Sequence, residues 1–248
     1  MVYILIDFDN FFDYKPADPD FDWLEFELNQ LTSRVLKSNS RPEFISFRLY
    51  GGWMENGSLT NLASRIQQSL SSFDIFPFYK HSERVSTDGE TELVTRLISM
   101  PDLQWDNTAI TRSGIPRLRV VSGLPPGCAG TNETCPVRIL FRFSKKRTKK
   151  CPVPGCPVTN QEAFKIVEQK MVDTMLSCDI VTLSEDERVE KIIVASDDFD
   201  MLPSMAIAAR NYTGKPGQIC LLRTNSNYNY DIFNRLIAMG LKVSVKGN

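Results

Sequence analysis

Histidine is nearly missing from this 248-residue chain: His81 stands alone, which excludes a multi-histidine metal site or a mechanism built on paired histidines. An excess of positive charge is missing too. The 29 Lys and Arg are balanced by 30 Asp and Glu for a net charge of -1, so any contact with a polyanion must come from a local patch. No stretch approaches the roughly twenty consecutive apolar residues that a membrane span needs. The first residues pass from Met1 straight into the strand-like VYILI, without the charged, apolar and small-residue tract of a secretory leader. The sequence therefore reads as cytoplasmic, with no membrane partner and with reduced thiols. If the chain is a hydrolase, carboxylates and metal ions must carry its chemistry.

What is present is 42% hydrophobic residues, enough for a substantial core. Apolar runs alternate with amphipathic segments. Strands are predicted at 2–6, 44–50, 76–79, 117–121, 137–143, 191–195, 219–222 and 241–245, and helices at 23–36, 59–70, 90–98, 161–178, 201–210 and 230–239. Such alternation implies βαβ units with right-handed crossovers. The expected fold is α/β, a three-layer α/β/α sandwich around a mainly parallel sheet, as one domain over residues 1–248. Residues 122–159 break the alternation with prolines, glycines, four cysteines and a basic run, and read as an insertion.

Aspartate gathers at three places. ILIDFDNFF puts Asp7, Asp9 and Asn10 directly after an apolar strand. KMVDTMLSCD puts Asp173 late in the helix expected over 161–178, with Asp179 near its end, and KIIVASDDFDMLP puts Asp197, Asp198 and Asp200 between a strand and a helix. Open parallel sheets bind ligands beyond the carboxyl ends of their strands, where the strand order reverses. Asp7 and Asp198 both hold strand-end positions, and if their strands are neighbours their carboxylates converge. Like charges that close repel unless one takes up a proton or a cation joins them. Hard divalent cations favour carboxylate oxygens and support phosphodiester hydrolysis without histidine. A strand-end Asp is also a common turn former or helix cap, a role that suits Asp200 before MLPSM and Asp9 before Phe11. Asp179, six residues beyond Asp173, points about 120° away on a continuous helix and does not easily share a metal with it.

Taken in order, these positions resemble the NYN branch of the PIN-like nucleases over residues 1–50 and 160–248. The matching pattern is an apolar strand with Asp-x-x-Asn (Asp7, Asn10), Lys-x-x-Asp on a helix (Lys170, Asp173), and Ser-x-Asp-x-Asp after a strand (Ser196, Asp198, Asp200), with Pro203 in the helix that follows. The resemblance implies a Rossmann-like fold, catalytic roles for Asp7, Asn10, Asp173, Asp198 and Asp200, and Mg2+ or Mn2+ held by Asp7, Asp173 and Asp198. It further implies cleavage of nucleic acid, RNA before DNA, as an endoribonuclease. Asp197 departs from the pattern, which has a small residue there, and adds a carboxylate beside the metal ligands. The string Asp7-Phe-Asp9-Asn10 also resembles the signature of haloacid-dehalogenase-like phosphatases, with Asp7 as nucleophile, Asp9 as general acid, and Asp197 and Asp200 helping to hold magnesium. Asn10, where that family has Thr or Val, and Asp173, which has no role there, put this reading second. A third reading is a non-catalytic PIN-like scaffold that binds nucleic acid or a protein partner. Homo-oligomerisation stays open.

Cys128, Cys135, Cys151 and Cys156 are separated by six, fifteen and four residues. In a reducing compartment this pattern favours a structural Zn2+ held by four thiolates over disulfides or free thiols, although the first pair is wider than the usual spacing. Cys178 and Cys220 stand in apolar contexts and read as small core residues. Between the cysteine pairs lies SKKRTKK, whose Lys145, Lys146, Arg147, Lys149 and Lys150 form either a solvated loop or a phosphate-binding patch. Tyr228 and Tyr230 are weaker candidates for base stacking.

Overall fold

The computed structural model describes residues 1–12, 21–37, 42–80, 85–113, 139–140, 143–144, 148–211, 218–224 and 230–246. In chain order the elements are β1 (Val2–Asp7), α1 (Phe8–Phe11), α2 (Asp22–Lys37), β2 (Phe44–Tyr50), β3 (Met54–Glu55), β4 (Ser58–Leu59) and α3 (Asn61–Leu70). Next come β5 (Phe78–Lys80), β6 (Val85–Leu93), β7 (Arg96–Leu97), β8 (Met100–Gln104), β9 (Ala109–Ser113), α4 (Asn160–Ala163) and β10 (Lys165–Gln169). The chain closes with α5 (Val172–Ser184), β11 (Lys191–Ala195), α6 (Leu202–Asn211), β12 (Ile219–Arg223), α7 (Tyr230–Ala238) and β13 (Lys242–Val245). It divides into two compact units, residues 1–109 with 169–248, and residues 110–168. The Cys-rich span expected at 122–159 falls inside the second.

The first unit is built on a seven-stranded sheet of order β13-β12-β11-β1-β2-β6-β5. Six strands are mutually parallel, and only the edge strand β5 runs antiparallel, against β6. Strand alternation sends side chains to two separate cores. Val2, Ile4 and Ile6 of β1 pack with Leu24, Leu28, Leu31 and Val35 of α2 and with Ala63 and Ile66 of α3. Leu5 faces the other way, into a core with Met175, Leu176 and Ile180 of α5, Met205 and Ala208 of α6, and Phe233 and Leu236 of α7. Helices thus cover both faces of the sheet. Among the described residues no helix is long and apolar enough to cross a membrane.

The elements depart from the sequence reading in three places. The helix expected over 90–98 is instead the end of β6, which pairs in parallel with β2 as far as Leu93, followed by the short strand β7 at Arg96–Leu97. Its Thr/Glu alternation is strand-like, and Gly89 allows the close approach: a Cβ there would lie 2.4 Å from the Ile45 carbonyl oxygen and 2.5 Å from the Phe76 ring. The helix expected over 161–178 is three elements, since Lys165–Gln169 pairs with β9 and Met171 adopts a left-handed φ of 64° that starts α5 afresh. Asp173 therefore sits in the first turn of its helix, not late in it. Of the strand expected over 137–143, the described residues Ile139, Leu140 and Phe143 are helical, while 117–121 lies outside the described residues.

The second unit contains a small turn centred on Cys151–Cys156. The Cys151 amide donates to Val158 O at 2.8 Å and the Cys156 amide to Val153 O at 3.2 Å, with Gly155 at a φ of +81° that a side chain would strain. Buried Asn160 ties this turn down, accepting from the Lys149 amide at 2.9 Å and donating to Phe143 O at 2.7 Å.

Candidate active site

The sheet order reverses between β1 and β11: from β1 the chain moves outward through β2, and β11 starts the opposite wing. This is the kind of crevice in which open α/β sheets bind ligands. The two strands pair in parallel with Ile6 opposite Ala195, so Asp7 and Ser196 leave their strands side by side. The Ser196 hydroxyl donates to Asp7 Oδ2 at 2.8 Å, and the Asn10 side chain, one turn along α1, donates to the same oxygen at 2.9 Å. Asp7 is only 1% exposed, and its other oxygen, Oδ1, is buried with no hydrogen-bond partner. An ionised carboxylate with one naked buried oxygen is costly in the absence of a counter-charge. Burial accordingly pushes the Asp7 carboxyl above its ordinary value; the Asn10 and Ser196 bonds oppose this, and Asp198 adds to it.

The other acidic positions gather around this group. Asp198 follows β11 in a tight turn, its amide donating to Ser196 Oγ at 3.0 Å while its Oδ1 accepts from the Phe199 amide at 2.6 Å and the Asp200 amide at 3.3 Å. Asp173 is exposed, yet its carboxyl is also pushed up, first by partial desolvation and then by Asp7, Asp198 and Asp200. The structure thus brings Asp7, Asp173, Asp198 and Asp200 into one electrostatic neighbourhood, with Asn10 as a direct partner of Asp7. Asp9 is exposed, as is Asp200. Among the described residues, no three His, Cys, Asp or Glu side chains stand together closely enough to hold a metal ion. Magnesium retains most of its water and takes one or two protein carboxylates directly. The orphaned Asp7 Oδ1 and an all-oxygen donor set fit that mode.

Two aspartates have other work. Asp197, which the sequence left as an extra carboxylate by the metal, turns away: Arg223 Nε approaches its Oδ1 at 3.2 Å, and the Thr224 amide and hydroxyl both donate to it. The Arg223 guanidinium is buried over the Phe199 ring at 4.8 Å and the Phe233 ring at 5.7 Å. Asp197 therefore anchors the turn that carries Asp198 and Asp200. Asp179 is completely buried, accepting from Tyr50 Oη at 2.7 Å, Arg48 Nη2 at 3.1 Å and the Ile98 amide at 2.9 Å. Arg48 also pairs with Glu92 and donates to Arg96 O at 2.9 Å. Sequence reading missed this network, although an Arg in the middle of the apolar FISFRLY strand was its visible signal.

Of the cysteines, Cys151 and Cys156 are half-buried free thiols, and Cys128 and Cys135 lie outside the described residues. Cys220 is buried as expected, but Cys178 is exposed, because α5 turns Val172, Met175, Leu176, Asp179 and Ile180 inward and leaves 178 outside. Lys149 is half-buried and Lys150 exposed; Lys145, Lys146, Arg147, Tyr228 and the Tyr230 side chain lie outside the described residues. No protein-family model, curated protein or solved structure matches the chain.

Proposed function

We propose that the chain is a metal-dependent nuclease of the PIN-like kind that hydrolyses phosphodiester bonds, in RNA before DNA. The observation that carries this reading is the buried, unpartnered Asp7 Oδ1 at the reversal point of the sheet, among three further carboxylates. Asp7 is the residue that would hold Mg2+ or Mn2+ directly, with Asp198 and Asp173 accepting from the ion's water shell. When bound, such an ion supplies positive charge to the phosphodiester and acidity to an attacking water. The chain's own residues do the positioning. Ser196 and Asn10 fix one oxygen of Asp7, which aims the other. The Arg223–Asp197 anchor holds the Asp198 turn. The preference for RNA rests on the family resemblance.

The test is a panel of labelled single- and double-stranded RNA and DNA, with a generic phosphomonoester alongside, each in magnesium, manganese or chelator. The reading expects metal-dependent cleavage of RNA and none with chelator. Turnover of the monoester alone, lost in Asp9→Asn, would replace it with the phosphatase, and metal-independent binding without cleavage would replace it with the scaffold.

A structural Zn2+ on Cys128, Cys135, Cys151 and Cys156 is part of the same proposal, supported by the tight turn that joins Cys151 and Cys156, while phosphate contact by Lys145, Lys146, Arg147, Lys149 and Lys150 rests on the basic run in the sequence alone. Elemental analysis after dialysis under reducing conditions is expected to find about one zinc per chain, and a zinc-free protein would overturn the assignment.

A further inference from the structure

We propose that the cavity between α2 and the β1–β11–β12–β13 face of the sheet binds a small organic phosphomonoester, at a site separate from the aspartate crevice. The cavity holds about 310 Å³, with Ile4, Ile193 and Leu222 forming an aliphatic wall beside Arg34, Lys191 and Lys242. Its size sits at the low end of small-molecule sites. Among the described residues, three cationic side chains and no carboxylate line it, in a protein whose net charge is -1.

Strand register explains the convergence. Ile4, Ile193, Cys220 and Lys242 form one lateral row across four strands, and Leu222 and Ser244 pair in the next row along. Lys191 lies two residues before Ile193, so the parallel alternation points it to the same face. Arg34 comes down from α2 and donates to Val245 O at 3.4 Å. Burial pushes the Cys220 thiol up while Lys191, Lys242 and Arg34 each oppose that rise, and burial, with a smaller push from Lys242, holds the Lys191 ammonium below its ordinary value. The Ser244 hydroxyl, 3.7 Å from the thiol, adds a hydrogen-bonding group.

This lining selects the ligand class. A phosphomonoester carries about -1.5 to -2 at neutral pH and three acceptor oxygens, which matches three cations better than a single carboxylate does. The aliphatic wall needs an apolar body to cover it, which inorganic phosphate lacks. Asp7 is separated from this site by the sheet itself. Ile4 belongs to the core under α2, whereas Asp7 lies an odd number of residues along the strand, on the α5 side, and about 10 Å further on.

The experiment uses the full chain in chelator, which silences the acidic site toward metal-bridged phosphates. AMP and hexyl phosphate are titrated by calorimetry, with inorganic phosphate and adenosine as the two halves, and methyl NMR locates binding. At least one ester is expected to bind saturably and to shift the Ile4, Ile193 and Leu222 methyl signals, with inorganic phosphate and adenosine each weaker. Lys242→Glu, at an exposed position, is expected to weaken the ester about tenfold or more; Lys242→Met, which adds no charge, should weaken it less. Absence of binding by both esters, inorganic phosphate binding as tightly as they do, shifts confined to the surroundings of Asp7, or unchanged affinity in Lys242→Glu would each overturn the proposal. None of these outcomes bears on nuclease activity.

Discussion

Helix α5 places aspartates six residues apart in opposite circumstances. Asp179, mid-helix, is wholly buried and fully partnered, with a guanidinium, a phenol and a backbone amide on its two oxygens. Asp173, in the first turn, joins Asp7, Asp198 and Asp200 in a group that has no cation partner among the contacts described above. Burial pushes the carboxyls of Asp179 and Asp7 upward alike, but the leading opposition is Arg48 at Asp179 and only neutral hydrogen bonds at Asp7. The lesson is that burial does not mark a functional acid. What separates the two is the oxygen left over at Asp7, a valence that the fold fills at Asp179, and the proposed function rests on that difference.

The largest effect that tests this contrast is on turnover. If the chain is the proposed nuclease, Asp7→Asn is expected to lower metal-dependent cleavage about a thousandfold, since it would remove the direct ligand of an ion worth several kcal/mol to the transition state. Asp179→Asn should leave cleavage by any remaining folded protein near wild type. Equal turnover in wild type and Asp7→Asn would remove Asp7 from the site.

The second effect runs the other way. Asp179→Ala strands Tyr50 Oη and the Ile98 amide and removes one partner of Arg48, so urea unfolding is expected to show a loss of about 3 kcal/mol. A loss no greater than that of an ordinary surface substitution would mean that Glu92 and the Arg96 carbonyl satisfy Arg48 by themselves.

Ser196→Ala probes the support of Asp7. It removes one of two donors to Oδ2 and is expected to cost about 10- to 100-fold in metal affinity or cleavage, with about 1 kcal/mol of stability. An effect on stability alone would make Ser196 a packing residue.

The smallest effect is a pH signature without metal. The folded-state value of Asp7 is raised above 3.8, so its favourable contribution is present below that value and is lost as pH rises through the folded one. Asp7→Asn lacks this titration. Its stability relative to wild type should therefore climb from acid toward neutral pH and then level off. A difference that stays flat across this range would show that Asp7 carries no desolvation cost.

Much of the fold was legible because its signals are local and periodic. The apolar runs ending at Ile6, Tyr50, Ala195 and Leu222 became parallel strands, and the spacing of Leu24, Leu28, Leu31 and Val35 became the inward face of α2. The misreadings at 90–98 and 164–171 fell where strand pairing overrode the local pattern: pairing with β2 decided the first and pairing with β9 the second, while 172–178 is helical as expected. Asp7, Asn10, Asp173, Asp198 and Asp200 could be named as candidates because motif spacing survives in one dimension.

Left to itself, then, the sequence determined that aspartates would stand at the ends of apolar strands, that no multi-histidine site could form within the chain, and that the chain would form an α/β sheet. Only the tertiary structure decided which aspartate is which. Asp7 and Ser196 are 189 residues apart and meet because β11 pairs with β1, and Arg48 reaches Asp179 across 131 residues. The worth of a buried charge depends on the few groups within hydrogen-bond reach, and that shell is assembled from distant parts of the chain, so local pattern cannot specify it.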